Sequence, residues 1–151
     1  YPNYDLEYIL LQLQVSYFQA NKQWQQCGDI MYEILSQYGN KVDYFEGNTL
    51  IWYNVFLHAK EPKVLNEALR WLEKSLKVNQ RPYMLDTYAN LLYKTGQLQK
   101  ALEFEQKALR CEEENGNGVK SDLLINFDKM RNQQPTWLDD TPVKVSQIKN
   151  N

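Results

Sequence analysis

Few side chains in this sequence have the chemistry for catalysis, metal binding or redox work, and their spacing limits what each can do. The two cysteines, Cys27 and Cys111, stand far apart with no C-x-x-C pair, so they assemble neither a redox dithiol nor a zinc site. Two small side chains buried on helices are expected instead. His58 is the only histidine, with no Cys or carboxylate at ligand spacing, whereas a metal centre or a catalytic relay needs several convergent groups. No metal and no cofactor is expected. Glu112, Glu113 and Glu114 have the type for acid–base work, but such a charge run reads as a solvated helix end. Asp86 is the carboxylate a hydrolase would use in a groove; that alternative requires convergent titratable groups in a deep pocket, which the sequence does not supply.

Any such group must be positioned by helices. The 151 residues are 43% hydrophobic and 13% aromatic, enough apolar area to fold as one domain. A net charge of −2 leaves no cationic surplus to neutralise phosphates, so nucleic acid is not an expected partner, and a helical-repeat reader of single-stranded RNA would need a basic concave face. The apolar run from Tyr8 to Val15 is interrupted by Gln12 and Gln14 and falls short of the ~20 residues that span a bilayer. The chain opens at Tyr1 with neither Met nor a basic segment leading into an apolar one, which reads as a mature or excised fragment.

Apolar spacing predicts seven helices. The first runs from about Tyr4 to Ala20 with Asn3 as N-cap and two apolar stripes, Leu6/Leu10/Leu13/Tyr17/Ala20 and Tyr8/Leu11/Val15/Phe18, and is expected to be covered on more than one side. The second, about Gln23 to Gln37, ends at Gly39 in a left-handed conformation. A linker with turn residues Gly39, Asn40, Asp43 and Gly47 leads to a third helix capped by Asn48 and reaching about Lys60. Pro62 and Pro82 each open a further helix; Gly96 ends the fifth. Leu98, Ala101, Leu102, Glu105, Ala108 and Leu109 stripe the sixth, and Ser121 caps a seventh through Met130. Residues 1–131 form the helical domain; 132–151, with two prolines and no periodicity, form an irregular tail.

The fourth and sixth helices align without a gap. Thirty-three residues separate Ala68 from Ala101, and the same number separates Ser75 from Ala108, close to the ~34-residue period of tetratricopeptide repeats. Leu85, Tyr88, Ala89, Leu92, Gly96, Ala101, Ala108 and Leu109 resemble one such repeat, with Ala89 and Ala101 at the tight helix crossing. The unit from Leu50 to Gln80 fits more loosely: Phe56 stands where the family prefers a small residue, and Lys63 replaces the turn glycine. Cys27 in place of Ala68 marks a third, degenerate copy. The stretch from Leu85 through Gly96 to Ala101 is also similar to helical regions that follow thioredoxin-like domains in some bacterial envelope proteins.

The resemblance implies an all-α, right-handed superhelix of antiparallel helix pairs, about three hairpins with a C-terminal capping helix. It also implies a non-catalytic protein-interaction or scaffold module, a C-terminal fragment of a larger thioredoxin-like protein in the periplasm or cell envelope. In this family the first helix of each pair lines a concave groove, and Tyr53, Asn54, Leu57, Tyr83, Asp86, Asn90 and Tyr93 are then the candidates for holding a protein or peptide. Tyr rings suit that role because they bury area at low entropy cost and keep a hydroxyl for orientation. In the tail, Trp137 with Leu138 and Val143 is expected to dock on the helical stack or in the groove of a second copy, giving a homodimer through the tail. Trp52 and Trp71 are assigned to the core, so Trp52→Ala should cost ~3 to 5 kcal/mol in a urea titration.

Overall fold

The computed structural model describes residues 5–116, 118 and 120–138; Asn3, Tyr4 and Val143 lie outside them. Among the described residues seven α-helices occur in sequence: α1 Leu6–Ala20, α2 Trp24–Tyr38, α3 Tyr44–Ile51, α4 Pro62–Leu76, α5 Pro82–Lys94, α6 Leu98–Glu114 and α7 Ser121–Arg131. A π-helical segment, Trp52–Phe56, continues α3, and no strand occurs among the described residues. Consecutive helices pack as pairs, α1 on α2 and, most extensively, α5 on α6, while α2 meets α4 and α7 meets α6. This is helix-pair packing of the helical-repeat kind. Ala68, Ala89, Ala101 and Ala108 have no exposed surface, as close helix approach requires.

Local chemistry explains where the boundaries differ from the sequence pattern. Asp5 caps α1 by accepting the Tyr8 amide at 3.4 Å. Asp43 caps α3 by accepting the amides of Phe45 and Glu46, which starts that helix about one turn before Asn48 and leaves Asn48 buried inside it. A carboxylate that satisfies two orphan amides outcompetes a later Asn. Gly39 ends α2 with φ −53, a right-handed conformation. Gly96 does take the left-handed form, φ +87, available to glycine at little cost. Ser121 is the first residue of α7, after Lys120. On α1 only the stripe containing Leu11 and Val15 is buried; Leu6, Leu10, Leu13 and Tyr17 are exposed.

The core is organised around Trp71 on α4. Its indole Nε1 donates to the Gly39 carbonyl at 2.9 Å, its ring lies 6.3 Å from that of Tyr44, and Gly47 lies so close that a Cβ there would come within 2.5 Å of the ring. Gly47 is thus a contact residue within α3 rather than a turn residue. Trp52 is only partly buried, packed against Phe56 at 4.6 Å, so its truncation removes less apolar area than a core position would. Cys27 is buried and Cys111 half-buried.

Three substitutions measure this arrangement by urea unfolding. Trp71→Ala should cost ~3 to 5 kcal/mol and Trp52→Ala roughly 1 to 2 kcal/mol, so the order, not only the sizes, is at stake. Gly47→Ala should destabilise by ~1 to 3 kcal/mol through overpacking, although intrinsic helix propensity alone would make it stabilising by ~1 kcal/mol. A stabilised Gly47→Ala would mean that Trp71 does not rest on α3.

Candidate functional site

The residues singled out for a groove fall into two groups. Asn54 and Asn90 have no exposed surface. Each turns its amide back along its own helix, Asn54 Nδ2 to the Leu50 carbonyl at 3.1 Å and Asn90 Nδ2 to the Asp86 carbonyl at 2.9 Å. For Asn54 the π-helical segment supplies the reason. One extra residue in a turn rotates the downstream side chains by ~100° relative to a regular helix, and the inserted turn sits where Phe56, a bulky residue, occupies a fully buried position.

Asp86 is half-buried and sits at the centre of a polar cluster joining three helices. Its Oδ1 accepts Asn90 Nδ2 at 2.8 Å and Asn126 Nδ2, from α7, at 3.0 Å. The Glu105 carboxyl of α6 lies beside it, within reach of a hydrogen bond once one of the two carries a proton. Glu105 has no exposed surface, and neither of its oxygens receives a donor from another group. Two acceptors can bond only if one carries a proton. Desolvation, with the Asp86 charge and the Asp86 hydrogen bond adding to it, pushes the Glu105 carboxyl up to about 10. Asp86 is raised as well, by desolvation, partly offset by its three hydrogen bonds. The pair therefore consists of a protonated Glu105 donating to an Asp86 carboxylate that two asparagine amides hold in place. A shared proton is a general acid–base motif in chemical type, but Glu105 is sealed from solvent, and what the arrangement does here is tie α5, α6 and α7 together. Glu105 was legible as an acid inside the apolar stripe of the sixth helix; Asn126 carried no comparable signal.

The second group faces outward. Tyr53 is 51% exposed and Phe45 65% exposed. Phe45 packs edge-on against the half-buried Tyr83 at 5.7 Å. Leu57 is half-buried. At the far end of α5, the Tyr93 hydroxyl donates to the Gln134 carbonyl at 2.9 Å. Its ring lies 5.5 Å from that of Trp137, and Lys94 Nζ stands 5.7 Å from the Trp137 ring centre. Lys94 also donates to the Phe56 carbonyl at 2.5 Å, placing a cation at the end of the π-helical segment where carbonyls are unsatisfied. Leu138 is exposed. Tyr83 and Tyr93, ten residues apart on α5, stand about 80° apart around the helix axis. Phe45 was not among the sequence candidates because α3 was expected to begin after it.

His58 stacks on Trp24 at 3.6 Å and 6°. Burial and then the Lys94 charge lower its pKa, which keeps the ring neutral near pH 7. Among the described residues no group of three or more His, Cys, Asp or Glu side chains is placed to hold a metal ion, and no helix is long and apolar enough to cross a membrane. No protein-family model, curated protein or solved structure matches this chain.

The carboxyl pair gives stability a definite pH dependence. Glu105 is protonated in both folded and unfolded chains well below its ordinary pKa of 4.5, and no cost arises there. As pH rises from there towards about 10, the unfolded chain loses the proton while the folded one keeps it, so this contribution to stability is progressively lost. Glu105→Gln places a neutral donor of the same shape beside Asp86. It should raise stability at pH 8 by roughly 1 to 3 kcal/mol and flatten the fall between pH 5 and 9 in urea titrations. A wild-type slope retained in the variant would show that Glu105 is ionised in the fold.

Proposed function

We propose that this chain is a non-catalytic protein-interaction module: a right-handed superhelix of about three tetratricopeptide-like hairpins with α7 as the cap, forming the C-terminal piece of a larger thioredoxin-like protein. The buried small residues at the 33-residue repeat, Ala68 with Ala101 and Ser75 with Ala108, support the repeat architecture, because small side chains at helix crossings let neighbouring hairpins share one interior. The low net charge supports a protein rather than a nucleic acid as partner.

The observation that carries the reading is the seat of the chain's own segment from Gln134 to Trp137. A tyrosine hydroxyl takes a backbone carbonyl, and an indole packs between a tyrosine ring and a lysine ammonium. These contacts take one backbone carbonyl and one large side chain, groups that a foreign peptide would also offer. Phe45 and Tyr83 extend accessible aromatic surface from the other end of α5, and Tyr53 is exposed on the π-helical segment. The Asp86–Glu105 pair would be the centre of the alternative, a hydrolase; its enclosure, with Glu105 fully buried, weighs against substrate access.

A tiled array of extended aromatic-containing peptides, followed by calorimetric titration of the hits, tests this. Binding with a dissociation constant on the order of 10 µM is expected, weakened at least about tenfold by Tyr83→Ala or Phe45→Ala, with little response to salt. Absence of any binding peptide would overturn it, as would hits indifferent to both substitutions, or steeply salt-dependent binding of single-stranded RNA.

A further inference from the structure

The first helix carries an apolar surface that no helix among the described residues covers. Leu6, Leu10, Leu13 and Tyr17 are 71%, 58%, 61% and 63% exposed, while the opposite face of α1, with Leu11 and Val15, is buried and packs chiefly on α2. Four large apolar side chains in one stripe exceed the scattered exposure ordinary for a surface. Their spacing of four, three and four residues is the alternation of a coiled-coil seam.

We propose that a second copy of this chain covers the stripe, two α1 helices pairing antiparallel across a twofold axis. The spacing is palindromic. An axis passing between residues 11 and 12 sets Leu10 opposite the other copy's Leu13 and Leu6 opposite its Tyr17, so each seam residue meets another and none meets a gap. Such an isologous contact is self-complementary by symmetry. The flanking charges permit it too. Glu7 accepts a hydrogen bond from the Tyr38 hydroxyl at 2.7 Å, which ties it to its own chain. In the antiparallel register it faces Ser16, with the second Glu7 about 13 Å further along the axis, whereas parallel pairing would bring the two glutamates together. Gln14 falls opposite Ile9.

The area approaches that of a modest dimer. At roughly 100 Å² for each of the four exposed side chains, the seam alone removes about 800 Å² from the two copies. Flanking Ile9, Gln14 and Ser16 bring this towards the ~1,000 Å² that a specific interface needs. The proposal concerns the outer face of α1 and is independent of the aromatic face on α5; either can fail without the other.

Sedimentation velocity of the full chain across ~1 to 500 µM tests it. The expected result is a doubling of mass with a midpoint on the order of 10 µM, abolished by the double substitution Leu10→Glu/Leu13→Glu, with helical circular dichroism and thermal midpoint unchanged because both positions are exposed. A monomer throughout the range would overturn the proposal, and so would a dimer that survives the double substitution, which would move the contact elsewhere, for instance to the tail. Register is read by oxidising a mixture of Leu10→Cys and Leu13→Cys chains, each in a Cys111→Ser background. The mixed disulfide should predominate; predominance of Leu10→Cys self-disulfides would mean parallel helices and overturn the twofold arrangement.

Discussion

The seating of Trp71 is the constraint on which the first half of the molecule depends. One indole meets three separate stretches of chain. Its N–H ends on the Gly39 carbonyl, just beyond α2; its ring edge rests on Gly47 in α3; and its own helix, α4, packs on α2 and α5. A buried indole nitrogen without an acceptor would cost a desolvation penalty, and a ring of this size needs an opposing surface without a Cβ. Both demands are met by glycines, one offering a carbonyl and the other offering space. The connection from α2 to α3 is therefore pinned to the core at Gly39 and Val42, although its composition is that of a loop.

The same economy of space governs the end of the third helix. Phe56 fills a fully buried position, and the helix widens there into a π turn. The widened turn leaves a carbonyl that Lys94 takes up from α5. That bond brings α5 to the end of the third helix and sets the Lys94 ammonium beside Trp137. A packing irregularity in one hairpin thus reaches the surface where the C-terminal segment lies.

The proposed binding role rests on which side chains the helices turn outward. The polar groups of α5 face inward, where the Asp86 carboxylate takes the amides of Asn90 and Asn126 and lies beside the protonated Glu105. Such a network specifies how α7 meets α5 and α6, since a partly satisfied buried cluster would be costly. The outward surface is instead aromatic, Phe45 and Tyr83 at one end and Tyr93 with Trp137 at the other. Rings of that kind bind by area and orientation and do not need convergent titratable groups.

Much of this was legible from the chain alone. Periodicity located the helices from α1 to α7, Pro62 and Pro82 marked two starts to the residue, and the 33-residue repeat of Ala68 with Ala101 predicted close crossings that bury both. Those signals are local: a cap, a φ restriction, or a stripe repeating with the helical turn is written in neighbouring residues. The tertiary structure decided matters that involve residues distant in sequence. Gly47 is a contact because Trp71 presses on it, Asn54 points inward because a π turn accommodates Phe56, and Glu105 keeps its proton because folding buries it and sets Asp86 beside it. Leu6 and Leu10 pattern like Leu11 and Val15, yet only the latter are covered, since burial depends on which partner surface arrives, and periodicity specifies a face without specifying what meets it.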